Sequence, residues 1–127
     1  MEKEFVPYKL ALALKALGFD EPCFGYHLTK DLPYVKRGLK FGSEKYVGKH
    51  NSYDDFIVSA PTYSQAFRWF REKYDLGHMI NGIGHESFIM NIAGVLHIFN
   101  AFEFKTYEEA ELACLRKLIE IVETKSE

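Results

Sequence analysis

Residues 87–104 place the tightest constraint on what this chain can fold into. Two extended runs, residues 87–92 and 95–104, are separated by Ala93 and Gly94, the spacing of a tight hairpin in which Ile92 opposes Val95. That register puts Phe88, Met90, Ile92, Val95, His97 and Phe99 on one face, and Ile89, Asn91, Leu96, Ile98, Asn100 and Phe102 on the other. Both faces are largely apolar. A hairpin with one wet face alternates apolar with polar residues, so each side of this one needs a cover.

Helices are the available cover, and the pattern predicts three. Pro7 suits an opening helical position because its missing N–H has no intrahelical partner there. Leu10, Leu14 and Leu17 then recur as one stripe, and Gly18 is placed to cap the end in the left-handed conformation, with Phe19 folding back on Leu14. Tyr8 and Leu12 fall on the opposite side of that helix, which leaves it a narrow polar surface. Thr62 with Gln65 marks the start of a second helix, whose stripe is Tyr63, Ala66, Phe67, Phe70 and Tyr74. At 100° per residue Trp69 projects among Gln65, Glu72 and Lys73, so it is expected to be partly exposed. A third helix opens with Thr106 and Glu109 and carries Leu112, Leu115, Leu118, Ile119 and Val122 to about position 122, with Glu111 inside its apolar stripe.

Between the first two helices, residues 22–28 and 56–58 read as short strands, the former interrupted by Gly25, where a bulge or a close backbone approach is expected. Residues 29–53 are punctuated by Gly38, Gly42, Gly48 and Pro33 and read as a long loop with one short strand near residues 34–37. Residues 77–86 read as a loop. The fold expected is α+β, three helices packed on one small, mainly antiparallel sheet, in the order α-β-(loop)-β-α-β-β-α, as a single domain spanning residues 1–127.

Composition narrows the function classes. The chain has 127 residues, a net charge of −2, 27% charged residues and an aromatic share of 16%, which excludes disordered and coiled-coil classes. No window is apolar enough for a membrane span, and the first residues lack the pattern of a secretory leader, so a cytoplasmic protein is expected. Cys23 and Cys114 sit in apolar settings far apart and read as buried free thiols. Charge is uneven: residues 30–50 hold Lys30, Lys36, Arg37, Lys40, Lys45 and Lys49 against Asp31 and Glu44.

No nucleophile elbow, phosphate loop or metal-ligand spacing is present, so no catalytic residue, cofactor or metal is assigned. His78, His85 and Glu86 would make an acid-base site only if their side chains converged, and Glu111 lacks a partner for such work. His97, alone on an apolar strand face, reads as a core histidine.

Two binding readings remain. The first is a non-enzymatic interaction module that binds a protein partner or a second copy through Trp69, Arg68, Glu72, Tyr34, Phe41 and Tyr46. The alternative is a nucleic-acid-binding regulator using Lys36, Arg37, Lys40, Lys45 and Lys49, with the interleaved aromatics as stacking groups. An enzyme built on His78, His85 and Glu86 comes third.

Three stretches carry a resemblance: residues 5–26 (FVPYKLALALKALGFDEPCFGY), 60–74 (APTYSQAFRWFREKY) and 106–122 (TYEEAELACLRKLIEIV). Together they resemble a set of small uncharacterised proteins of gut-bacterial genomes and their phages or prophages. The resemblance covers the three helices and leaves out the basic loop and the hairpin. It implies a bacterial or phage-derived cytoplasmic protein and carries over no activity, cofactor or site residue.

Overall fold

Helix α1, Tyr8–Ala16, begins directly after Pro7, whose extended backbone (φ −67°, ψ 160°) stands at the cap position. It ends as its glycine predicts. Gly18 has φ 95°, its N–H bonds Lys15 O at 3.0 Å, and Phe19 N–H bonds Leu14 O at 3.0 Å, which is the double closure of a left-handed C-cap. Leu14 and Phe19 are both buried, so the cap also fixes where the chain leaves the helix. The structure is a computed structural model and describes residues 2–42, 48, 51 and 55–125.

The described residues divide into two compact units, Met1–Thr62 and Tyr63–Glu127. The first contains α1 and the strands β1 (Gly25–Leu28), β2 (Gly38–Phe41) and β3 (Ile57–Ala60). These form an antiparallel sheet in the order β2-β1-β3, and α1 packs against β3. Extended residues before α1 join it too: Val6 N–H bonds Pro61 O at 2.9 Å and Phe5 pairs with Thr62. Gly25 is the close approach expected of it, because a Cβ there would lie 2.9 Å from Phe5 Cδ1 and 3.0 Å from Ala60 O. Asn51 ties the far side together by donating from Nδ2 to Phe19 O and exchanging hydrogen bonds with Ser59.

The second unit contains α2 (Tyr63–Tyr74), β4 (Gly77–Ile80), β5 (Ser87–Asn91), β6 (Gly94–Phe99) and α3 (Tyr107–Lys125). Its strands form an antiparallel meander in the order β4-β5-β6. Helices α2 and α3 contact each other and this sheet. At the start of α3, Thr106 Oγ1 accepts the Glu109 N–H at 3.1 Å, and Glu109 Oε2 accepts the Lys105 N–H at 3.0 Å.

The α+β class is therefore as the sequence indicates, with three α-helices and two three-stranded antiparallel sheets among the described residues. The element order differs from expectation by two strands. The short strand expected near residues 34–37 lies instead at Gly38–Phe41, after a turn closed by the Leu32–Val35 pair. Gly77–Ile80, read as loop, is β4. Histidine and glycine carry little strand preference, so only the ladder to β5 reveals it. The last strand stops at Phe99, where Asn100, Ala101 and Phe102 turn and Phe102 adopts φ 65°. Each unit starts with a helix and three strands, but the first strand is central in one sheet and the second in the other, so they are not a repeated topology.

Candidate functional site: the open face of the second sheet

The hairpin register differs from the expected one by two residues beside the turn and by one beyond a bulge, and the odd shift beyond the bulge is the one that exchanges faces. Asn91 pairs with Gly94, so the turn residues are Ile92 and Ala93, and Met90 pairs with Val95. Beyond this, Ile89 pairs with His97, which leaves Leu96 as the extra residue of a β-bulge. The bulge reverses the alternation in β6. Val95 and Ile98 thereby come to one face, in direct rows with the neighbouring strands: Met79–Phe88–Ile98 and Gly77–Met90–Val95.

The other face is the covered one. Ser87 and Ile89 on it are fully buried. His78 stacks on Phe67 of α2 with ring centroids 3.5 Å apart, and α3 packs against β5. Among the described residues of this unit the opposite face is the exposed one, with Arg71 and Asp75 lining a cleft of about 290 Å³ beside Gly77 and Met90. Met79, Val95, Leu96 and Ile98 keep between 46% and 54% of their surface exposed, while Phe88 and Met90 are half-buried between them. No residue of these two rows is charged. Ile92 stands fully exposed at the hairpin tip, and Ile83 and Phe102 are largely exposed in loops at the opposite end, where Phe102 N–H bonds Gly84 O.

The residues singled out in the sequence are placed differently. Trp69 is not exposed: it retains 6% of its surface, edge-on to Phe70 at 5.1 Å and Tyr74 at 5.5 Å. The helical projection fails because the polar neighbour at i+4 covers the indole, with Lys73 Nζ 5.0 Å from the ring centroid. Arg68 and Glu72 are exposed on α2. Phe41 is at the edge of β2, stacked on Phe24 at 5.7 Å and tilted against Phe5 at 5.0 Å. Tyr34 is 98% exposed in the turn before β2. Lys36 and Arg37 are exposed beside it, with Arg37 N–H held by Asp31 Oδ1 at 2.8 Å, and Lys40 lies half-buried in β2. Tyr46, Lys45 and Lys49 lie outside the described residues.

The two histidines among the acid-base candidates have different ring partners, and Glu86 is half-buried after the β4–β5 turn. His78 faces Phe67, whereas the His85 ring lies edge-on to Tyr107 at 6.3 Å, and the Nδ1 atom of each is buried without a hydrogen-bond partner. Burial, assisted by Arg71, lowers the pKa of His78 to about 4, so it is neutral near pH 7. Burial and then the Glu108 charge raise the Glu111 carboxyl, and burial pushes the Cys114 thiol up to about 11, which removes it as a nucleophile. Both cysteines are buried thiols outside any disulfide. Among the described residues no group of three or more His, Cys, Asp or Glu is arranged to hold a metal, and no helix is long and apolar enough to cross a membrane.

The first unit holds a cleft of about 260 Å³ lined by Tyr8, His27, Leu28, Thr29, Arg37 and Gly38. His27 donates from Nε2 to Val6 O at 2.9 Å, and burial lowers its pKa, so it is a neutral structural donor beneath Tyr8. Comparison of the chain with protein-family models, curated proteins and solved structures finds no match to any of them.

Proposed function

We propose that this chain is a protein-interaction module whose contact surface is the open face of the β4–β5–β6 sheet. The observation that carries the reading is the pair of cross-strand rows, uncharged throughout, whose outermost side chains Met79, Val95 and Ile98 are about half exposed, as is the bulge residue Leu96. Contiguous apolar surface of this kind marks interaction sites in soluble domains. Completing the burial of a half-exposed aliphatic side chain contributes roughly 1 kcal/mol, so the cluster offsets only part of the roughly 4–15 kcal/mol cost of association. Modest affinity follows.

An Ile98→Asp variant tests it. The wild-type chain is expected to associate, with itself or with a retained lysate protein, at least tenfold more strongly than the variant, since one buried unpaired carboxylate costs several kcal/mol. Equal association by the two proteins overturns the proposal.

A second reading, binding of single-stranded nucleic acid, rests on Tyr34, whose ring is almost wholly free in a turn beside the exposed Lys36 and Arg37. With Lys40 these make three cations, for which log affinity falls with log salt at a slope of about −2. An oligonucleotide titration at low salt that shows no binding removes this reading.

A further inference from the structure

The cleft of the first unit sets an unpaired guanidinium beside two hydrogen-bond acceptors and two aromatic walls, and we infer that it binds a small aromatic carboxylate carrying a hydroxyl or amino group. Every residue that lines it lies in the first unit, so the inference is independent of the interaction reading above.

The cation is Arg37, on the cleft wall just before β2. Its backbone is fixed, because its N–H bonds Asp31 Oδ1 at 2.8 Å, yet among the described residues no carboxylate forms an ion pair with its guanidinium. A guanidinium presents a planar fork that matches a carboxylate in two parallel hydrogen bonds. With Lys30, Asp31 and Lys36 the segment stays positive on balance, which favours an anion there.

The acceptors are His27 and Thr29. His27 gives its Nε2–H to Val6 O at 2.9 Å, and burial lowers its pKa, so the ring is neutral and its Nδ1 carries a lone pair. Thr29 Oγ1 gives its proton to Phe56 O at 3.1 Å and keeps only the capacity to accept. Neither group can donate to a carboxylate. A ligand hydroxyl or amino group, at the end of the molecule away from Arg37, suits both.

The walls call for a flat ring. Tyr8 and His27 stand 75° apart with ring centroids at 5.8 Å, so a ring stacked on one of them meets the other edge-on, the two favourable aromatic geometries. Gly38 leaves its flank of the cleft open, since a Cβ there would meet nothing within 4 Å. The volume of about 260 Å³ is just under the roughly 300 Å³ at which ordinary ligand clefts begin, so the occupant is one ring with its substituents, about ten non-hydrogen atoms.

The experiment is an amide chemical-shift titration of the full chain with 4-hydroxybenzoate, 3-hydroxybenzoate and 4-aminobenzoate. At least one is expected to give saturable shifts centred on Tyr8 and residues 27–29 and 37–39, with a Kd of about 0.1–1 mM. Arg37→Gln and Tyr8→Leu are each expected to weaken that binding by about fivefold or more. Benzoate lacks the donor, cyclohexanecarboxylate the plane and phenol the carboxylate, and each is expected to bind about threefold or more weakly than the best of the three probes. The wild-type titration needs no variant, so a misfolded substitution does not spare the proposal. Absence of saturable shifts with all three probes up to about 20 mM overturns it. Inorganic phosphate binding as tightly as the best probe shows a general anion site, and cyclohexanecarboxylate binding as tightly shows an unselective apolar one; either overturns the assignment to an aromatic carboxylate. Shifts centred on the second unit, or binding that neither variant weakens, overturn the assignment to this cleft.

Discussion

At the scale of single residues, the clearest consequence of folding is that histidines are held neutral. His78 stacks on Phe67 with Nδ1 buried and unpaired, so nothing compensates a proton there, and its pKa falls from 6.5 to about 4. The unfolded chain binds that proton readily below about pH 6.5, whereas the folded chain does not until near pH 4. His78 therefore makes stability fall as pH drops through that window, and His27, also lowered by burial, acts in the same direction. Urea midpoints measured between pH 7 and pH 4 should decline less steeply in His78→Phe than in the wild type, and nuclear magnetic resonance should place the His78 titration near 4. A titration near 6.5 contradicts the buried, unpaired geometry. The histidine was visible in the sequence as part of a His/Glu group; its neutral, stacked state was not, because that state depends on α2 lying over β4.

Elements were legible wherever a local chemical device fixes them. The Gly18 cap, the Thr106–Glu109 capping pair and the stripes of α1, α2 and α3 all act within a few residues, and the structure bears them out. β2 and β4 were misplaced because each is held by a ladder to another strand rather than by its own composition. Gly25 lies between these cases, since its small size was readable but its reason is tertiary. Substituting Gly25→Ala forces a Cβ to within 3.0 Å of the Ala60 carbonyl, which is backbone of the neighbouring strand and cannot swing aside. A loss of about 1–3 kcal/mol in unfolding free energy is expected. Gly82→Ala, where nothing lies within 4 Å, serves as the control and should be close to neutral.

For the whole molecule, the organising fact is that each of two compact units carries its own small sheet. Among the described residues, the second unit places both of its helices against one sheet face and leaves Met79, Val95 and Ile98 of the other about half exposed. A two-layer arrangement of this kind stays marginal unless the second face is polar or meets a partner. Here it is apolar, which is why the interaction reading places its contact surface there. In the first unit Lys36 and Arg37 are exposed close to Tyr34. The nucleic-acid reading and the interaction reading can therefore be tested by variants that do not share a residue.

The sequence by itself determined the α+β class, the positions of the three helices, the cap that ends α1 and the burial of both thiols. These are matters of period, cap chemistry and apolar count, each set within a short window. Only the tertiary structure decided which side chains stand uncovered. Trp69 went inward because Lys73 and the neighbouring rings close over it. Val95 and Ile98 came to one face because one bulge shifts the register of β6 against β5. Strand side chains alternate with a period of two, so a one-residue shift exchanges the faces, and no local window records which register the neighbouring strand imposes.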